Sequence, residues 1–279
     1  MRTAPGGTER TEPRSRFDHG IHRGEMPFLD HLEEMRWRIF KSASALIVGA
    51  VLGFIGVHYL EVTDLLIRPI EEFLPEGRLH AFSPITPFFL ELKLALLVGL
   101  ILAFPVILYQ LWAFLSPALE THEKRIIVPA LYMGLVLFSL GVALAYWIAL
   151  PVSLEFLFGF QTDLLTLTIG ADEYLAFVVR LLMAFGLIFE LPVVIMILSA
   201  LGLVTPGFLR EKRRHAVVLI TVTAAFLSPG DVIMVTLLMM VPLILLYEFS
   251  ILLSQMIVRR REENSILAPE APEGAVEAE

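Results

Sequence analysis

An all-α, membrane-embedded bundle of six helices is the fold class this sequence predicts, on three observations. Apolar residues make up 57% of the 279 positions, well above the share of a soluble domain. They come in long blocks, not at the two-residue period of half-buried strands. The blocks recur near 39–59, 88–112, 126–150, 174–203, 216–227 and 232–258, and a span needs about 20 residues at about 1.5 Å each.

Each element follows from its own residues. Ahead of the first block, MPFLDHLEEMRWRIF carries Phe28, Leu32, Met35 and Ile39 at helical spacing. This predicts an interfacial helix, capped by Asp30, that runs straight into the first span. The first block is too long for a removable signal and reads as a retained span. Between the first two blocks, Leu65-Leu66-Ile67, a break at Pro69 and SPITP at Ser83–Pro87 predict a short helix within a packed cap. The second block holds Pro105, a residue that shapes a span by removing a backbone donor. The third is expected to stop at Leu150. The loop 151–173 then closes on Gly170-Ala171-Asp172-Glu173, which reads as the start of the fourth span. The fifth block has only about a dozen apolar residues, roughly 18 Å, so its hairpin either thins the bilayer or sits short in it. Asp231, in SPGD, can cap the sixth helix.

Basic residues orient the bundle. With the N-terminus inside, 17 Lys and Arg fall in cytoplasmic segments and only Arg68 and Arg78 outside, which places both termini in the cytoplasm. The net charge of −8 does not oppose this, because acidic residues contribute little to the rule. Residues 1–25 and 262–279 lack apolar periodicity and are expected to be disordered, which leaves 26–261 as the membrane domain.

Several chemistries are absent. There is no cysteine, hence no disulfide, thiolate nucleophile or cysteine-held metal. Phosphate-cradling, zinc-protease, hydrolase and dinucleotide motifs are also missing, so neither catalysis nor a cofactor, metal or nucleic-acid partner is expected. What remains is charge beside or inside the spans. Glu33 and Glu34 on the first helix and Glu120 and Glu123 on the first cytoplasmic loop could hold two guanidinium groups, which pair with carboxylates in a planar two-bond geometry. Solvated loop charge is the plainer reading. Near the outer ends, Glu91, Lys93 and Arg180 could form a buried structural charge cluster.

Glu190 is the sharpest feature. It sits in AFGLIFELPVVIMI, inside the fourth block, where a carboxylate costs about 2.5 to 3.5 kcal/mol on insertion scales. Arg180 is ten residues, about 15 Å, away on another face and cannot pair with it. Pro192 frees the carbonyl of Ile188 and bends the helix, while Gly186 admits close approach of another helix. Either Thr221 or Thr223 satisfies the carboxylate from within, or Glu190 contacts a polar group that enters the bundle.

The strings HLEEMRWR at His31–Arg38, FPVILYQLWAFLSPALETHEKR at Phe104–Arg125, FGLIFELPV at Phe185–Val193 and FLSPGDV at Phe226–Val232 resemble, in order and spacing, the signature segments of the TatC family. These are the membrane receptor subunits of the twin-arginine protein translocase. The resemblance implies a glove-shaped bundle that binds the Arg-Arg signal peptides of folded cargo at its cytoplasmic face, with transport driven by the proton-motive force. It implies signal-binding roles for His31, Glu34, Arg36, Phe114, Glu123, Lys124 and Arg125. It also implies that Glu190 meets polar residues of the single-span partners TatA and TatB. Lipid contact and self-association fit the same picture. The rival from another class is a proton-coupled secondary transporter using Glu190, which the lack of repeat symmetry disfavours.

Overall fold

The computed structural model describes residues 28–74, 79–116, 127–159, 168–227 and 233–267. Among them the chain is almost wholly helical; the one β-type pairing is an isolated bridge between His80 and Gly170. The helices are α1 (Phe28–Tyr59), α2 (Val62–Ile67), α3 (Thr86–Leu115), α4 (Ile127–Leu144), α5 (Leu150–Phe158), α6 (Ala171–Ile188), α7 (Leu191–Ala200), α8 (Pro206–Glu211), α9 (Arg213–Leu227) and α10 (Ile233–Leu267). Among the described residues, five stretches are long and apolar enough to cross a membrane: Leu32–Tyr59, Thr86–Leu115, Val128–Phe158, Ala171–Ala200 and Met239–Arg259. The sixth helix, α9, has 15 residues and rises only about 22 Å.

Helix α1 is one continuous rod of 32 residues, so the interfacial segment does run straight into the span. Asp30 lies inside its first turn and not at its cap, because the helix already begins at Phe28. Small residues set the packing of α1 on α3. A side chain at Gly49 would strike the Gly99 carbonyl, one at Gly53 would strike that of Ala95, and one at Gly99 would come within 2.5 Å of Ala50. Two backbones therefore touch along a face where lipid would otherwise intervene.

The cap forms as its residues suggest. Helix α2 passes into a 3-10 turn, Arg68–Phe73, with Pro69 at its first positions, where the missing N–H costs nothing. Leu66 and Ile70 are buried beneath it. Two tyrosines fasten it to the bundle: Tyr146 donates to Leu65 O at 2.7 Å and Tyr174 to Leu66 O at 2.6 Å. We call this the cap end, and the opposite end, where α1 starts and α10 finishes, the terminal end.

Two boundaries differ from the sequence reading, the ends of the third and sixth spans, while the bend expected in the fourth is present. The third span does not stop before Pro151: a π turn, Ala145–Ala149, widens the helix, and Pro151 enters the first turn of α5, so the rod continues to Phe158. The fourth span is broken at Phe189–Glu190, between α6 and α7. Helix α10 continues to Leu267, six residues past the boundary drawn from composition at Arg261. The N-terminal extension 1–25, the end 268–279 and the expected cap at Asp231 lie outside the described residues.

Candidate functional site

Glu190 stands at the break between α6 and α7. Pro192 occupies one of the first positions of α7, so no N–H is available there to close the α-helical ladder. The chain tightens instead: Glu190 N bonds Leu187 O at 3.1 Å, and the helix resumes with Val194 N on Glu190 O at 3.0 Å. Glu190 is ten residues from the end of α7, about 15 Å, and 19 from the start of α6, about 28 Å. That depth is near the middle of the span, displaced a few ångströms towards the terminal end.

The carboxylate is 8% exposed, and neither oxygen has a hydrogen-bond partner among the described residues. Its seat is made by Gly134 of α4, where an added Cβ would lie 3.0 Å from Oε2, 3.5 Å from Oε1 and 2.7 Å from the Leu108 side chain of α3. The threonines offered as internal partners turn away from it. Thr221 and Thr223 each donate to their own helix, at Val217 O and Leu219 O, both at 2.8 Å. Gly186 admits the Phe138 ring of α4, which stacks on Phe104 at 3.7 Å. The close approach at Gly186 is therefore used within the bundle, by α4.

A second polar group lies at the start of α1. Arg38 Nε donates to Glu34 Oε1 at 2.9 Å, and Arg38 Nη2 meets the same oxygen. Its Nη1 reaches Gln110 Oε1 on α3 at 3.5 Å. Glu34 Oε2 is buried without a partner, as is the indole N–H of Trp112, one turn beyond Leu108. The last two turns of α3 thus border both carboxylates, with Leu108 at the Glu190 seat and Gln110 at the Glu34 pair. Every buried side-chain polar atom left unpaired among the described residues belongs to Glu34, Trp112 or Glu190, all in the terminal half.

The other expected residues fall as follows. Arg36 is exposed on α1, Phe114 is half-buried near the end of α3, and His31 lies in the first turns of α1. Glu123, Lys124 and Arg125 lie outside the described residues. Glu91, Lys93 and Arg180 do not gather. Lys93 pairs with Asp172 at 2.6 Å, with both side chains half exposed, while Glu91 and Arg180 are exposed and apart. That pair sets Lys93 level with Asp172, so Glu91 lies more than 12 Å, by helical rise, towards the cap from Arg180, about two side-chain reaches away. Arg38, Gln110 and Gly134 escaped the sequence reading. Only the spacing of Arg38 from Glu34, one helical turn, could have pointed to any of them.

Fold and polar groups together define a multi-span helical membrane protein whose buried side-chain polar atoms without a partner, among the described residues, lie in its terminal half. The model of the family Sec-independent protein translocase protein (TatC) matches residues 30–242. The chain belongs to the TatC family: it is a component of a protein translocase and not an enzyme. It is similar to the TatC protein of Aquifex aeolicus, 40% identical over 240 residues, or 85% of this chain and 98% of the relative. It is also similar to that of Escherichia coli, 37% identical over 243 residues, or 85% and 92%. A crystal structure of the twin-arginine translocase receptor TatC superposes with a TM-score of 0.72 at 41% identity, covering 82% of this chain and 100% of that one. A proton-coupled transporter is not favoured by these relatives.

Proposed function

We propose that this chain is the signal-reading and assembling member of a twin-arginine translocase, with its terminal end in the cytoplasm of an inner membrane. The orientation rests on 17 basic residues in the terminal-end segments against two in those of the cap end. The observation that carries the signal site is the Glu34 carboxylate, which already clasps a guanidinium through one oxygen and keeps the other unpaired. A group that accepts Arg38 has the geometry to accept an arginine from a signal peptide. Glu123, on the neighbouring loop, supplies the second carboxylate. His31, Arg36, Phe114, Lys124 and Arg125 complete the surface.

Glu190 takes the second role, as the contact for a polar side chain of a TatA- or TatB-type partner helix. The support is an unpaired carboxylate at membrane depth, whose desolvation only a hydrogen-bonding visitor offsets. The family's proton-motive-force drive and inner-membrane site apply to this chain by the same reading.

The signal site is tested by photocrosslinking an Arg-Arg signal peptide to the full chain. Glu34→Gln and Glu123→Gln are each expected to reduce the crosslink and export at least about tenfold, the scale of losing one charge-assisted bidentate pair. Undiminished crosslinking in both variants overturns the assignment.

A further inference from the structure

Helices α1 and α3 touch along their backbones, and beside that seam they leave an open groove of about 320 Å³. Ser44, Val48, Gly49 and Leu52 line it from α1, and Leu102 and Val106 from α3. Its walls are apolar. The Ser44 hydroxyl is spent on the carbonyl of Phe40 at 2.8 Å, while Val48, Leu52, Leu102 and Val106 stay exposed, so no described helix covers them.

Lys41 stands at the terminal end of this groove. On the unbroken α1 it precedes Ser44, Val48 and Leu52 by three, seven and eleven residues, the spacing of one helix face. It is exposed and has no ion pair or hydrogen bond among the described residues. Contacts across the seam set its level on α3. Gly49 lies against Gly99, Gly53 against Ala95, and Arg38 reaches Gln110, so the two helices run antiparallel and Lys41 comes level with Ile107. Tyr109, exposed and seven residues from Leu102 on the same face of α3, flanks the groove mouth from the other side.

Depth puts both side chains at the level of lipid head groups. Beyond Lys41, α1 carries no Asp, Glu, Lys or Arg up to its end at Tyr59, and it rises about 27 Å over that length, close to the roughly 30 Å of bilayer hydrocarbon. A lysine at that edge extends its ammonium to the interface, and a tyrosine puts its hydroxyl there. A phosphate supplies the negative charge that Lys41 lacks, and the acyl chain attached to it needs only apolar walls. A protein helix needs interhelical hydrogen bonds or close packing on small residues to stay bound. The groove has its hydroxyl already used and its glycine already set against Gly99. We propose that the α1–α3 groove holds one acyl chain of a phospholipid whose phosphate sits on Lys41.

The test uses the full chain in phosphatidylcholine vesicles containing phosphatidylglycerol with a photoreactive diazirine in its acyl chain. Mass spectrometry locates adducts at Val48 and Leu52, inside the groove, and at Ile47 and Val51, which are exposed at the same depth on another face of α1. Groove adducts are expected to exceed the others about fivefold, the scale of one lysine near an anionic head group. In Lys41→Gln, and in Ser44→Phe, whose ring fills the groove, the two sets are expected to become equal. Equal adducts in the unaltered chain, or a preference that either folded variant leaves unchanged, would overturn the proposal. Groove adducts below those at Ile47 and Val51 would overturn it too, and would give the groove to a helix of a second copy of the chain. Both substitutions fall at exposed positions, and Lys41→Gln keeps the test decisive if Ser44→Phe does not fold.

Discussion

Glu34 and Glu190 are both partly or wholly buried carboxylates that border the last turns of α3, yet their surroundings are opposite. Glu34 holds an in-chain guanidinium near the start of α1, and Gln110 of α3 meets the same guanidinium. Glu190 sits in a pocket of Gly134 and Leu108 with both oxygens unpaired. The difference teaches that a partner already present makes a site exchangeable, whereas a missing partner makes it costly. A protein keeps the second kind only where something else supplies the bond.

The comparison is sharpest if the Glu190 seat is filled. Gly134→Leu drives side-chain atoms into Glu190 and Leu108, and should lower stability in detergent by about 3 kcal/mol, the upper range for overpacking. A melting temperature equal to that of the unaltered chain would mean that the pocket is looser than described. Removing the carboxylate should act in reverse: Glu190→Leu is expected to raise stability by about 2 kcal/mol, since an unpaired buried polar group is replaced by one of similar volume. A loss of stability there would reveal an internal partner for Glu190. At the exchangeable site the effect shrinks. A double-mutant cycle of Glu34→Ala and Arg38→Ala should give a coupling of about 1 kcal/mol that weakens with salt. The half-exposed Lys93–Asp172 pair marks the floor, and Lys93→Ala should change stability by less than about 0.5 kcal/mol.

Much of this was legible in the sequence because membrane spans announce themselves by length. The short fifth helix, the cap around Pro69, and the bend at Glu190 and Pro192 follow from block length and proline chemistry alone. The end of the third span was not legible. Pro151 reads as a stop, and only the π turn ahead of it, a backbone adjustment with no composition of its own, lets the helix continue. The expected grouping of Glu91, Lys93 and Arg180 failed for a related reason: depth along one helix is countable, but the register between helices is set by packing. The same limit hid Gln110 behind Arg38, and Gly134 as the seat for Glu190, since a glycine reveals its purpose only when the facing helix is known.

The unpaired carboxylate as a docking point for a partner helix is tested most directly by copurification. The full chain and its Glu190→Ala variant are expressed with a TatA- or TatB-type single-span protein, extracted in mild detergent and captured, and the same samples are crosslinked to an Arg-Arg signal peptide. The expected result is loss of most of the single-span partner with the signal crosslink intact. Full retention of the partner by Glu190→Ala would contradict it.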